Sequence, residues 1–177
     1  SPPYNYLWND PGAQTTTTAS GLVEGTYVVT ITDSAGCLTT ATGVISAPPA
    51  VVITLVSSLD PNCNGSCDGN ITISTTGGTP TYTYLWDDPG AQTTATATGL
   101  CNGTFLITVT DANGCSDTMS ISLVEPAPLT LSITSIAASC ANVCDGSATV
   151  TANGGTSPYI YLWDDPGAQA TATAIGL

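Results

Sequence analysis

One phrase governs what this chain can fold into. It reads YLWNDPGAQ at Tyr6–Gln14, then YLWDDPGAQ at Tyr84–Gln92 and again at Tyr161–Gln169. Trp8, Trp86 and Trp163 are 78 and 77 residues apart, and Gly21-Leu22, Gly99-Leu100 and Gly176-Leu177 keep the same offsets. Cys37 and Cys115 are 78 apart, while Cys63 and Cys140, like Cys67 and Cys144, are 77 apart. Solenoid repeats run about 20–50 residues and bury a core only against their neighbours. A period of 77–78 residues is one small domain, so the chain should be a row of beads, each with its own core.

Proline marks the joints. Ala47-Pro48-Pro49-Ala50 aligns with Glu125-Pro126-Ala127-Pro128. The expected division is a partial repeat over 1–47, a complete repeat over 48–125 and a partial repeat over 126–177. The first would hold closing strands and the last opening strands, as in a segment cut from a longer tandem array. Short Pro-containing joints are stiff and extended, which suits a stalk.

Within a repeat the hydrophobic period is two, the mark of half-buried strands. Phe105, Ile107 and Val109 alternate with Thr104, Thr108 and Thr110. Tyr27, Val29 and Ile31 do the same in the first unit, and Leu129, Leu131 and Ile133 in the third. Met119, Ile121 and Leu123 mark another inward face, and β-branched residues dominate throughout. Turn signals stand at Asn113-Gly114, Gly77-Gly78 and Asp88-Pro89-Gly90. Six or seven short strands per repeat predict an all-β fold, a tandem array of immunoglobulin-like or fibronectin-like β-sandwiches. Trp8, Trp86 and Trp163 would be the central core residues on the third strand. GLVEGTY and GLCNGTF resemble the corner before the sixth strand of such modules, with Tyr27 and Phe105 as the corner rings. Only Tyr27 carries the hydroxyl that a hydrogen-bonded corner needs. One clear strand is visible between Trp86 and that corner. Without a further short strand near Asp88–Gln92, both ends of a repeat would lie at one pole and the beads would zigzag.

Composition excludes most functions. The chain has no Lys, Arg or His and a formal charge of −13. Phosphate backbones and anionic bilayers attract basic groups, so no nucleic-acid partner and no membrane insertion are expected. No run of about 20 apolar residues is present either. Base catalysis relies mostly on His, and oxyanion or phosphoryl stabilisation often on Arg or Lys, so no catalytic residue is assigned. A glycosidase would need two carboxyl groups facing each other about 5–10 Å apart, and adjacent Asp87 and Asp88 in one turn are a poor start.

The words CNGSCDGNITISTTGGTPTYTYLW, TTATATGLCNGTFLITVTDANGC and VEP resemble the SprB repeat of Bacteroidota cell-surface proteins, a family that includes gliding-motility adhesins. The likeness extends over the complete unit and both partial ones. It implies export by type IX secretion, display outside the outer membrane and no catalytic activity. The chain departs from the pattern at Val23, where the complete unit has Cys101.

Seven cysteines without His argue for disulfides in an oxidising compartment rather than a zinc site. The candidates are Cys37, Cys63, Cys67, Cys101, Cys115, Cys140 and Cys144. In a sandwich the loop holding Cys63 and Cys67 shares a pole with Cys101, so Cys101 should bond one of that pair. Cys115 lies about 30 Å along the strand from Cys101. Its partner would be the remaining cysteine of the preceding unit, reached across the joint; a local Cys63–Cys67 loop and a free Cys115 are the alternatives.

Asp87, Asp88, Asp111 and Asn113 are candidate oxygen ligands for calcium, although Asp and Asn also occupy turns for backbone reasons. Asp33-Ser34-Ala35 and Asp117-Thr118-Met119 fit an acidic–hydroxyl–apolar rule for O-glycosylation at Ser34 and Thr118. Lysine usually guards exposed edge strands and here is absent, so glycan or neighbouring copies in a filament are expected to cover the edges. The favoured reading is a non-enzymatic structural stalk or filament segment of a secreted surface adhesin, whose partners are its neighbouring repeats and other copies. The alternative is a repeated module in which Trp and the Asp-Asp turn grip surface polysaccharide or calcium.

Overall fold

The computed structural model describes residues 2–177, and every regular element among them is a β-strand. The first unit holds β1 (Asn5–Trp8), β2 (Gly25–Thr32) and β3 (Leu38–Ile45). The complete repeat holds β4 (Val52–Leu59), β5 (Gly69–Thr76), β6 (Thr83–Trp86), β7 (Thr96–Leu100), β8 (Gly103–Thr110) and β9 (Ser116–Leu123). The third unit holds β10 (Thr130–Ile136), β11 (Ser147–Asn153) and β12 (Thr173–Ile175). Two compact bodies result, one ending at Ala50 and the other running from Val51 to Leu177. The joint expected at 125/126 does not separate bodies, for reasons of hydrogen bonding given below.

The complete repeat is a sandwich of two three-stranded antiparallel sheets, β4-β5-β7 and β6-β8-β9. In chain order this places the first, second and fourth strands in one layer and the third, fifth and sixth in the other. Immunoglobulin-type sandwiches use that division, with one further strand. Alternation drives it: Ile71 and Ile73 of β5, and Phe105, Ile107 and Val109 of β8, all point into one cluster around Trp86. Trp86, Ile71, Ile107 and Val109 are fully buried. Burying each large apolar side chain is worth about 1.5–3 kcal/mol, so this cluster dominates the stability of so small a body.

Six strands, not seven, are present, and none lies at Asp88–Gln92. The two ends of the complete repeat nevertheless lie at opposite poles. β6 is antiparallel to β8, and β7 is antiparallel to β5, so β6 and β7 run the same way and the loop between them turns back without a strand. A Cβ on Gly69 would meet Leu59 O, Leu100 O and Leu123 Cδ1 at 2.8–3.0 Å, and one on Gly78 would meet Val51 and Asp111. Those contacts define two poles: the chain enters at Val51 beside Asp111 and leaves at Leu123 beside Leu59.

The sheet edges β4 and β9 lie side by side, and carboxylates join them. Asp117 Oδ2 accepts the Ile53 amide at 3.1 Å, and Asp60 Oδ1 accepts the Val124 amide at 2.9 Å. These edge N–H groups are thus occupied without any lysine.

The outer units repeat the two layers separately. β1-β2-β3 reproduces β6-β8-β9, with Trp8 opposite Val29 as Trp86 is opposite Ile107. β10-β11-β12 reproduces β4-β5-β7. One difference accounts for the two periods. β4 carries a bulge between Leu55 and Ser57, whereas β10 pairs with β11 without a shift. Val56 is the additional residue that makes one period 78 and the other 77.

Among residues 2–177 each outer unit presents one layer, as expected of a partial repeat. Trp86 is 1% exposed, but Trp8 and Trp163 are only half-buried. Val51 and Ile53 are 6% and 4% exposed, whereas their counterparts Leu129 and Leu131 are 57% and 66% exposed.

Candidate functional site

The repeated phrase forms a self-contained turn. The Trp86 indole N–H donates to Thr94 O at 2.9 Å. The Asp88 carboxylate accepts from the amides of Gly90 and Gln92, both at 2.9 Å, and from Gln92 Nε2 at 3.1 Å. The Gln92 side chain also donates to Thr98 O and accepts from Thr98 N, each at 3.0 Å, locking the turn onto β7. A Cβ on Gly90 would come within 2.9 Å of Asp88 Oδ2, so this glycine is required for space. The left-handed conformation falls instead on Ala91, with φ 45°, and on Ala13 and Ala168 in the other copies. Nothing in the sequence pattern Pro-Gly-Ala signals that.

Asp10 and Asp165 repeat the same cage with Gln14 and Gln169. Desolvation pushes the Asp88 carboxyl up, but the hydrogen bonds from Gln92 and Gly90 outweigh it and hold the group below the ordinary carboxylate value. Asn9 and Asp87, the one variable position in the phrase, do one job. Each uses Oδ1 to accept an amide of the next strand, Val28 or Leu106, at 2.7 Å.

Asp111 builds a second cage at the entry pole. It accepts from Thr79 N at 2.7 Å, Cys115 N at 2.8 Å and Asn113 N at 2.9 Å, and these bonds, that of Thr79 foremost, lower its pKa. Asn113 Nδ2 donates to Thr79 Oγ1 at 2.8 Å. The four candidate calcium ligands are therefore not brought together. Asp87 is bonded beside Leu106, and Asp111 lies five residues further along the strand direction, roughly 16 Å away. Among the described residues no group of three or more acidic, Cys or His side chains is arranged to hold a metal.

Cys67 and Cys101 form a disulfide that ties the β4–β5 loop to the β7–β8 corner. Cys37, Cys63, Cys115, Cys140 and Cys144 are free and exposed. The period puts the cross-joint partner expected for Cys115 outside residues 1–177. In the first unit Val23 replaces Cys101, and there Tyr27 Oη donates to Val23 O at 3.2 Å. Ser34 lies exposed in the β2–β3 turn, and Thr118 is exposed on β9.

Two features escaped the sequence reading. One is a groove between the Asp88 turn and the corner, ≈ 510 Å³, lined among others by Gln92, Leu100, Asn102 and Phe105. The first unit has the same groove at ≈ 340 Å³, lined by Gln14, Leu22, Val23 and Tyr27. Its only signal was the constant spacing of two recurring words. The other is the joint. Glu125, just past β9, accepts from Gly65 N at 2.6 Å and Asn64 Nδ2 at 2.9 Å, and Asn64 Nδ2 also reaches Pro126 O at 3.3 Å. Thr156, at the entry pole of the third unit, donates to Asn62 O at 3.1 Å. Asp68 organises the same loop, accepting from Ser66 Oγ at 2.8 Å and Asn62 N at 3.0 Å. The exit pole of one repeat is thereby bonded to the entry pole of the next.

No curated protein matches this chain in sequence. Among solved structures, a chain of the crystal structure of Dpr2 Ig1-Ig2 in complex with DIP-Theta Ig1-Ig3 is similar at a TM-score of 0.32 and 11% identity, over 82% of this chain and 66% of that one. The SprB repeat model matches residues 56–91 and 137–168. Both matches begin on or just after an opening strand and end at or beside the left-handed alanine of the caged turn. Two segments of this chain, one in the complete repeat and one in the third unit, are thus similar to the SprB repeat.

Proposed function

We propose that this chain is a non-enzymatic structural stalk segment of a large secreted surface adhesin, displayed outside a bacterial cell. The bonded joint carries the reading. Glu125 and Thr156 connect successive repeats pole to pole, and each complete body is entered at one pole and left at the other. A segment built so gains length with each copy, roughly 26 Å per eight-residue strand before the joint is counted. The family match supports a repeat module of a surface protein. Export by type IX secretion, a part in gliding motility and O-glycans on Ser34 and Thr118 belong to the same proposal. Small-angle scattering of residues 51–177 tests the joint. The parent should give a single narrow length distribution, and Glu125→Ala a broader one. An unchanged profile in the variant would remove the basis for a stiff stalk. Antibody labelling of unpermeabilised producing cells tests the display.

The duplicated groove favours a second reading, a repeated polysaccharide-binding adhesion module. Asn102 and Gln92 would supply polar contacts there. Binding of surface polysaccharide that is lost in Asn102→Ala, with the joint intact, would establish it over the stalk reading.

A further inference from the structure

Asparagine stands before glycine at Asn64, Asn102, Asn113 and Asn153. Such a pair converts itself slowly in water, because glycine has no Cβ to keep its nitrogen from the neighbouring side-chain carbonyl. At Asn64 a single carboxylate holds both reacting nitrogens. Glu125 Oε2 accepts from Gly65 N at 2.6 Å, and Glu125 Oε1 accepts from Asn64 Nδ2 at 2.9 Å. Asn64 Nδ2 reaches Pro126 O as well, at 3.3 Å. Asn64 and Gly65 are both exposed to water. The turn itself does not require this pair. The third unit builds its counterpart from Ala141-Asn142, and Asn142 takes φ 65° where Gly65 takes φ 77°.

We propose that Asn64-Gly65 is a self-modification site guarded by Glu125, and that its conversion releases the joint for good. The Gly65 nitrogen attacks Asn64 Cγ, the Cγ–Nδ2 bond breaks, and the Gly65 proton leaves with the ammonia. Water then opens the five-membered imide at either carbonyl, leaving aspartate or isoaspartate at position 64. Ring closure requires Asn64 to let go of Glu125 and Pro126, so the reaction proceeds from the locally opened joint. Afterwards a carboxylate stands opposite Glu125 where an amide donor stood. Like charges at that range oppose reclosure, and the chain has no Lys, Arg or His to neutralise them. The isoaspartate form also adds an atom to the backbone, which shifts Gly65 N away from its acceptor. The joint thus keeps a one-way record of having opened. This inference rests on the joint of the stalk reading and adds a lifetime to it.

Peptide mapping by mass spectrometry of the full chain, aged at mildly alkaline pH, tests the chemistry. In the parent, Asn102, exposed at the corner, should convert faster than Asn64. Glu125→Ala should raise the Asn64 rate roughly tenfold, the population change expected when hydrogen bonds to a charged group are removed. The Asn102 rate should not move. Equal rates at the two sites in the parent, or an Asn64 rate indifferent to Glu125→Ala, would overturn the proposal. Small-angle scattering of the same full chains tests the consequence. Asn64→Asp should broaden the length distribution as ageing does. Adding Glu125→Gln to Asn64→Asp should narrow it again, because an amide once more donates across the contact. A narrow Asn64→Asp profile beside a broad Glu125→Ala profile sinks this inference alone. Narrow profiles for both variants sink the stalk reading, and the inference with it.

Discussion

Trp86 and Trp163 lie in the same nine-residue phrase and make the same indole hydrogen bond, to Thr94 O and Thr171 O, each at 2.9 Å. Asp88 and Asp165 are caged by the same atoms. Yet one ring is buried and the other half-exposed. The difference separates two kinds of information. The phrase encodes its own turn, because the side-chain partners of Trp86, Asp88 and Gln92 all lie within about ten residues. It cannot encode burial, which depends on a facing layer far away in the chain.

The largest expected effect follows from that separation. Trp86→Ala should destabilise the complete repeat by about 3–5 kcal/mol, as large aromatic truncations in cores do. Trp163→Ala should cost far less, and chemical denaturation of both variants gives the measurement. Equal losses would mean that the two environments are energetically alike. Next comes the disulfide. It spans 34 residues, so Cys101→Ala should cost about 3 kcal/mol. Cys144→Ala, at the counterpart of Cys67, should cost almost nothing because Cys144 is free.

Acid should act on both environments alike. Asp10, Asp88 and Asp165 all have lowered pKa values: Gln14 and Gln169 hydrogen bonds act first on Asp10 and Asp165, while at Asp88 those of Gln92 overcome desolvation. A carboxylate with a depressed folded pKa contributes stability above its unfolded value, near 3.9, and loses it as pH falls through the folded value. Denaturation midpoints should therefore hold from pH 8 down to about 5 and fall below about 4. A step between pH 5 and 8 would contradict this, since the chain has no His to titrate there.

The smallest effect sharpens the corner comparison. The complete repeat pins its corner with a disulfide beside Phe105, and the first unit pins the same corner with the Tyr27 hydroxyl. Tyr27→Phe should cost about 1 kcal/mol in the first unit and leave the complete repeat unmoved. A domain-resolved melt that shows no change would make that hydrogen bond ornamental.

The fold was largely legible because alternation is local. Phe105, Ile107 and Val109 announce their face by spacing alone, and the corner words place Tyr27. Cys101 and the pair Cys63/Cys67 were narrowed to one pole by topology, but which of the two bonds depends on a loop shaped by Asp68 and Ser66. The parallel run of β6 and β7 was not legible, because a turn that reverses without a strand leaves no periodic trace. Nor was the Glu125 joint, where one carboxylate meets a loop 60 residues earlier. The candidate calcium ligands raise a related ambiguity. Asp in a turn looks the same whether its oxygens face a cation or its own backbone amides, and here they face the amides.

The Val56 bulge has a consequence for how such arrays change over generations. One codon gained in β4 is absorbed within two residues, and pairing resumes at Ser57 with Thr72, where Thr134 pairs with Thr149 in the shorter copy. An insertion that would otherwise invert inside and outside along the rest of the strand is contained at an edge. Duplicated copies can therefore drift in length by single residues and still interlock, which leaves tandem expansion tolerant of imperfect copying.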